Sequence, residues 1–455
     1  MAEEKKRRFF GTDGVRDIAN SGMMRPEPAM KLGAAYALFL RGRGAGHPVI
    51  AVGRDTRRSG EMLQSALMSG IASAGGSAVD LGVIPTPGVS SVASRNKFDG
   101  GAVISASHNP AEYNGIKFLD KDGFKLTDDD EADIEAIFLN EDGGRFAAPE
   151  AIGGVSDGSA YRAQYADRLR QVVGEIEDTS YPIVIDAANG AASDFVEPLF
   201  AQWRGGVTFM ANRPDGLNIN KNVGVTHIGT LASEVVRGGA ALGIAYDGDT
   251  DRVLLCDSRG RTLDGDIMLW VIGRWFAKRG VLGAGVTATV MSNMVLEDLL
   301  AEDGIKVFRC PVGDRYVLDT MRREGGRIGG EQSGHIIALE YANTGDGLCA
   351  GILFLKAVAE LGEDISTLAD RFERYPQVLR NMRVDDKDRI MTSPLVGAAA
   401  EEAERLLKGR GRMLLRPSGT EPLIRIFAES RDAGLMNQAA DIMEAAIKKA
   451  VENHG

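Results

Sequence analysis

The chain of 455 residues is 44% hydrophobic and 26% charged, an ordinary globular composition, and is too long for one core, so roughly three or four domains are expected. Its net charge of −11 argues against nucleic acid or an anionic membrane as the main partner, and an anionic small substrate would need local basic clusters. No run of about 18 apolar residues predicts a membrane span, and no signal-type apolar segment follows the charged start. Cys256, Cys310 and Cys349 lie far apart without CxxC spacing and read as buried, reduced thiols of a cytoplasmic protein.

Near the N-terminus stands Gly11-Thr12-Asp13-Gly14-Val15-Arg16. A GxGxG run at 42–46 follows a helical pattern instead of a strand, which speaks against a dinucleotide fingerprint, and no GK[ST] occurs. The apolar run Val49-Ile50-Ala51-Val52 leads into Gly53-Arg54-Asp55-Thr56-Arg57 and a helical stretch over 60–75. The same order returns at Ile183-Val184-Ile185, with the loop Asp186-Ala187-Ala188-Asn189-Gly190 and a helix over 193–204. It returns again at 286–291, with Ser292-Asn293 and a helix over 295–303. Strand, polar loop and helix in succession predict three α/β domains of similar plan.

Residues 141–159, rich in small and polar types without periodicity, read as a linker near residue 150. Further boundaries fall near Ser258-Arg259-Gly260 and Arg374-Tyr375-Pro376. The expected segments are 1–150, 158–256, 257–373 and 375–455. In the last, a strand over 378–384 and a helix over 393–408 precede two strands flanking a turn (413–415 and 423–428). A helix over about 435–451 completes a small α+β domain.

Ser107 lies in Ile104-Ser105-Ala106-Ser107-His108-Asn109-Pro110, a turn at the end of the apolar strand 101–104. A serine can carry a phosphoryl group between two half-reactions; a plain turn serine is the alternative. Asp247-Gly248-Asp249-Thr250-Asp251-Arg252 follows the apolar run 241–246 and sets three carboxylates at alternate positions. Such an oxygen-only set suits Mg²⁺, and Arg252 beside it suits a carboxylate or a phosphate. An EF-hand is disfavoured because Ser258 stands where its twelfth-position Glu is needed.

Glu331, Gln332 and Ser333, in Gly330-Glu331-Gln332-Ser333-Gly334-His335, suit sugar hydroxyls, and His335 titrates near neutrality. Arg416-Pro417-Ser418-Gly419-Thr420-Glu421-Pro422, with Arg425 beyond, reads as a phosphate nest or as a hairpin with incidental arginines. Arg16 and Lys117 are candidates to stabilise a transferring phosphoryl group or to move protons. A formal GxSxG at 154–158 has no predicted strand before it, which leaves a serine hydrolase poorly supported. A non-catalytic phosphosugar-binding protein is the remaining rival.

Taken together and in order, these motifs resemble the α-D-phosphohexomutase superfamily over essentially the whole chain. The resemblance implies three similar α/β domains with mixed sheets plus a smaller C-terminal α+β domain, arranged around a central cleft. It implies that Ser107 carries the phosphoryl group and that Asp247, Asp249 and Asp251 ligate one Mg²⁺ with a Ser107 phosphate oxygen. Glu331 and Ser333 match sugar contacts, and Arg416, Ser418, Gly419, Thr420 and Arg425 match a clamp on the phosphate that is not transferred. Lys117 is the first candidate for proton transfer, with His335 and His108 behind it.

Gln332 resembles the branch acting on glucosamine phosphates, where the mannose branch usually has Met. The implied reaction interconverts glucosamine 6-phosphate and glucosamine 1-phosphate through a phosphoserine enzyme and a hexosamine 1,6-bisphosphate, feeding UDP-N-acetylglucosamine and cell-wall synthesis. Mutases for mannose or glucose phosphates are the alternative, and a homodimer is left open. Asp17, Thr250 and the pair Ala111-Glu112 depart from the usual pattern, none of them at a ligating position.

Overall fold

Four sheets carry the chain, and three share one plan: a parallel core with antiparallel pairing towards one edge. In the computed structural model, which describes residues 8–11, 13–140, 146–176, 179–418 and 421–453, the first sheet has six strands. Their order is Val15–Ile18, Tyr113–Leu119, Gly100–Ile104, Val49–Arg54, Ser77–Val83 and Val155–Asp157. The first two pair antiparallel and the last four run parallel. All five residues of Gly100–Ile104 are buried, as expected of a strand covered on both faces.

The second sheet runs Thr262–Leu263, Val253–Asp257, Leu242–Tyr246, Ile183–Asp186 and Val207–Met210, with the last three parallel. The third runs Val307–Cys310, Val286–Thr289, Ile328–Gly330 and Ile336–Ala338, with only the last strand antiparallel. The fourth is wholly antiparallel, Gln377–Arg383, Leu423–Ser430 and Gly411–Pro417, and packs with the helices Pro394–Leu407 and Ala433–Glu452. Three mixed α/β sheets and a small α+β sheet are therefore as expected.

Residues 155–157 differ from expectation. Read as linker, they form an exposed edge strand on Ser77–Val83, because Ala78 to Asp80 offer unpaired backbone groups at that edge. Ser156 of the formal GxSxG therefore sits inside this strand and not on a strand-to-helix elbow. The helix expected over 193–204 stops at Phe200, and that expected over 60–75 occupies Arg58–Ser73.

Two compact units are present. One spans residues up to 291 together with 303–369, and the other 292–302 together with 370 onward. The helix Val295–Glu302, contiguous in sequence with the third α/β segment, belongs to the second unit. The Met294 N–H donates to Glu429 Oε1 at 2.8 Å, and Asn293 exchanges hydrogen bonds with the Tyr375 backbone at 3.0 and 3.1 Å.

In the first unit Asp346 caps the helix Gly347–Leu361, accepting the Cys349 N–H at 3.0 Å and the Tyr165 hydroxyl at 3.1 Å. Burial outweighs these bonds and pushes the carboxyl from 3.8 up to about 6. The folded chain thus holds this proton more tightly than the unfolded one. The stabilisation is complete below the unfolded value near pH 4 and is lost as pH rises through 6. Between pH 4 and 7 the wild type should lose about 3 kcal/mol relative to Asp346→Asn, read from denaturant unfolding of both proteins. Parallel curves would refute it.

Candidate active site

Strand Gly100–Ile104 ends at a turn whose third residue, Ser107, has φ +52°, a left-handed conformation that aims its side chain away from the strand direction. The turn is fixed from below. Arg57, fully buried and paired with Asp55 at 2.9 Å, donates to the carbonyls of Ser107 and Asn109, each at 2.9 Å. Asn220 Nδ2 donates to the same two carbonyls at 2.9 Å. Ser105 Oγ donates to Asp55 Oδ2 at 2.6 Å and accepts the Ser107 N–H. A left-handed serine so constrained is held in one geometry.

The acidic run is the hairpin loop between Leu242–Tyr246 and Val253–Asp257. Glycine lets it meet its neighbours: a Cβ on Gly248 would stand 2.6 Å from the Ser107 carbonyl oxygen, and one on Gly190 would stand 2.4 Å from that of Gly248. Ser107 Oγ donates to Asp247 Oδ2 at 2.7 Å, so the hydroxyl and the first aspartate, 140 positions apart, are in contact. Oxygens of Asp247, Asp249 and Asp251 lie within 4.8 Å of one another, all buried.

Burial and the Asp251 and Asp249 carboxylates push Asp247 well above the usual carboxylate range. Burial acts the same way on Asp251, but His335, Lys117 and Arg252 overcome it and hold that group below the range. Asp249 Oδ1 and Asp251 Oδ1 are buried without a hydrogen-bond partner. Hard carboxylate oxygens, mutually repelling and partly unsatisfied, fit a divalent cation such as Mg²⁺.

Lys117, on strand Tyr113–Leu119, reaches the triplet: its Nζ donates to Asp249 Oδ2 at 2.7 Å and stands 3.3 Å from Asp13 Oδ2. Burial lowers its pKa, yet Asp13, Asp249 and Asp251 together raise it beyond the ordinary lysine value. As an ammonium, Lys117 offsets the charge of these carboxylates, a contact that stands beside the proton-transfer role expected of it. Thr86 Oγ1 also donates to Asp249 Oδ2, at 2.7 Å.

Above this lies a cavity of about 460 Å³ lined by Asp13, Arg16, His108, Lys125, Asp251, Arg252, Asp314, Glu331 and His335, among others. Ser107, Lys117, Asp247 and Asp249 are buried and do not line it. Arg252 Nη1 donates to His108 Nδ1 at 3.4 Å, and that nitrogen is 3.3 Å from Ser107 Oγ. Burial, Arg252 and Arg16 pull His108 below the usual histidine value and favour the neutral ring.

His335 accepts the Gly345 N–H on Nε2 at 3.1 Å, which leaves its Nδ1 proton facing Asp251 Oδ2 at 3.8 Å. Glu331 Oε1 accepts the Gly313 N–H at 3.0 Å, while Ser333 is exposed and outside the cavity wall. Arg16 pairs with Asp13.

In the second unit, Arg416 and Arg425 stand directly opposite each other across antiparallel strands. Two guanidiniums on one face repel, a cost that an anion between them removes. Lys387 Nζ donates to the carbonyls of Ser418 and Glu421, fixing the connecting turn. Gly419 and Thr420 lie outside the described residues.

Models of the phosphoglucomutase/phosphomannomutase family match the chain four times: α/β/α domain I at 7–145, domain II at 163–260, domain III at 264–375 and the C-terminal domain at 379–446. The chain belongs to this family. A phosphoglucosamine mutase of Cereibacter sphaeroides is 44% identical over 98% of this chain and 99% of its own, and one of Pelotomaculum thermopropionicum is 43% identical over 97% and 99%. A phosphoglucomutase/phosphomannomutase family protein of Burkholderia thailandensis shares the fold, with a TM-score of 0.81 at 23% identity over 99% and 98% of the two chains.

Within this family member the motif reading left out Asp55, Arg57, Thr86, Lys125, Asn220 and Asp314. The charged loop after the second strand, Gly53 to Arg57, was visible as a loop. That it braces the serine turn was not, since the contact spans 50 positions. Lys125 Nζ lies 2.6 Å from Asp13 Oδ1 and also pairs with Asp314, so two acids that line the cavity share one half-buried cation.

Proposed function

We propose that this family member is a phosphoglucosamine mutase, passing a phosphoryl group from Ser107 to either end of a hexosamine phosphate. The observation that carries this is the 2.7 Å hydrogen bond from Ser107 Oγ to Asp247 beside two more buried carboxylates. The full-length likeness to phosphoglucosamine mutases supports the sugar.

In the forward half-reaction, the O1 hydroxyl of glucosamine 6-phosphate attacks phospho-Ser107. The O1–P bond forms as the Oγ–P bond breaks, and the proton that O1 gives up goes to the serine oxygen, leaving the 1,6-bisphosphate and a free Ser107 hydroxyl. The bisphosphate then turns, and its 6-phosphate returns to Ser107. Asp247, Asp249 and Asp251 would hold Mg²⁺, with an oxygen of the Ser107 phosphate completing the set. When bound, the ion neutralises charge on the transferring group.

Lys117 holds Asp249 in place and adds fixed positive charge, and Arg16 and Arg252 face the phosphate from the cavity wall. His108, neutral and with Nδ1 3.3 Å from Ser107 Oγ, is placed to take the serine proton when Ser107 is rephosphorylated, while His335 and Glu331 serve the sugar hydroxyls. Ser333 joins them only if its exposed loop closes on the sugar. Arg416, Ser418 and Arg425, with Gly419 and Thr420, clamp the spectator phosphate. The three buried free thiols agree with a reducing, cytoplasmic compartment.

Turnover of glucosamine, glucose and mannose 6-phosphates, each with its own 1,6-bisphosphate primer, tests the substrate. A kcat/KM at least about 10²-fold higher for the glucosamine sugar is expected, a margin of the size that one recognised polar group provides. Preference for mannose or glucose would move the chain to the other branch.

A further inference from the structure

The turn Asp120-Lys121-Asp122-Gly123 folds the chain back beside the strand that carries Lys117, so that Lys125 bridges antiparallel to Leu119. Asp120 Oδ1 accepts the Asp122 and Phe124 N–H groups, each at 2.9 Å, and Gly123 takes φ +81°. A Cβ there would stand 2.6 Å from the Ser90 carbonyl oxygen, so the turn has little room to shift.

The returning leg reaches the third α/β segment. Phe124 packs against the cluster that includes Val317, Leu318 and Met321 of the helix Asp314–Glu324, with the Arg322 guanidinium 3.7 Å over its ring. Arg315 Nη2 donates to the Leu126 carbonyl at 3.0 Å, and Arg315 also pairs with Asp128. Between these anchors Lys125 Nζ stands 2.6 Å from Asp13 Oδ1 and 2.5 Å from Asp314 Oδ2. Both acids line the catalytic cavity but come from different α/β segments. Asp13 pairs with Arg16 and faces Lys117, whereas Asp314 lies 3.7 Å from His335 Nε2 and follows Gly313, whose N–H holds Glu331. One ammonium thus touches the groups that handle the phosphoryl unit and those that handle the sugar. Without it two carboxylates would repel each other across the join.

We propose that Lys125 is a positioning residue for the mutase reaction, fixing the loop of Asp13 and Arg16 against the start of the helix that holds Glu331. It acts through the two acids, not on the reacting atoms, and the assignment rests on the mutase reading. A bisphosphate must present each of its ends in turn to one serine, so both half-reactions need the same spacing between the phosphoryl and sugar sites. A displacement of about 1 Å at such a site can cost about 10²-fold in rate.

Steady-state turnover of glucosamine 6-phosphate by the full chain, with Mg²⁺ and 1,6-bisphosphate, tests the tie. Lys125→Met keeps the apolar stem and should lower kcat at least tenfold, while Lys125→Arg, whose guanidinium can span two carboxylates, should stay within about threefold of the wild type. Asp314→Asn cuts the same tie with Lys125 still paired to Asp13, and the double variant Lys125→Met/Asp314→Asn should be no slower than the worse single variant. Arg315→Ala removes the neighbouring anchors and leaves Lys125; it should lower the melting temperature at least as much and keep kcat within about threefold. Unchanged kcat in Lys125→Met, no recovery in Lys125→Arg, losses that multiply in the double variant, or an equal loss in Arg315→Ala overturns the proposal. If Lys125→Met does not fold, Asp314→Asn decides alone, and an unchanged kcat there overturns it. A wild type that turns over no glucosamine 6-phosphate would instead defeat the mutase reading.

Discussion

Replacing Ser107 by glycine should lower mutase turnover by about 10⁴-fold or more while leaving the protein folded. Glycine is the better probe, because at φ +52° an alanine would keep a backbone cost of about 1 kcal/mol that glycine avoids. The buried frame around the turn does not depend on the hydroxyl: Arg57 and Asn220 grip the Ser107 carbonyl, which glycine retains. Turnover is measured on protein from a host lacking its own mutase, with 1,6-bisphosphate supplied. Intact mass after that incubation should rise by about 80 Da in the wild type, one phosphoryl group, and not in the variant. Near-full turnover in the variant would remove Ser107 as the carrier, and a mass gain there would move the phosphate elsewhere.

Asp249→Asn is expected to have the next largest effect, because one side chain serves three partners. It belongs to the acidic triplet, pairs with Lys117 at 2.7 Å and accepts from Thr86 at 2.7 Å. Neutralising it removes a metal ligand and leaves a buried ammonium with one fewer counter-charge, a change that costs about 3–5 kcal/mol where nothing compensates. Here Asp13 still faces Lys117 at 3.3 Å, so the fold should survive with reduced stability. The Mg²⁺ concentration for half-maximal rate should rise at least tenfold, and kcat should fall by about 10³-fold. Lys117→Met separates the two roles: it should lower turnover while all three carboxylates remain, so the residual rate should still require Mg²⁺. A Mg²⁺ titration unchanged in Asp249→Asn would dismiss the triplet as the metal site.

The three α/β sheets were legible because buried parallel strands write themselves as apolar runs, such as 101–104 and 241–246, each closed by a polar loop. The edge strand Val155–Asp157 was not, since three exposed residues carry no alternation and gain their pairing only from Ser77–Val83. Ser107 and the triplet were legible as motifs because their chemistry is local. Arg57, Asn220 and Thr86 were not, because a lone polar residue looks like surface until the fold buries it. The contacts of Lys117 also needed the structure: sequence names the amine, but only the fold brings Asp13 and Asp249 to it.

The excursion of residues 292–302 into the C-terminal unit alters what it means to separate that unit from the remainder. Three covalent crossings, near 291, 302 and 369, join the two bodies, where a single tether would have sufficed for beads on a string. Cutting the gene near codon 374 would therefore strand an amphipathic octapeptide, Val295, Leu296 and Leu300 stripped of their cover, on the truncated product. The natural seam of this polypeptide is discontinuous, and a clean excision would have to carry that short helix along with the tail.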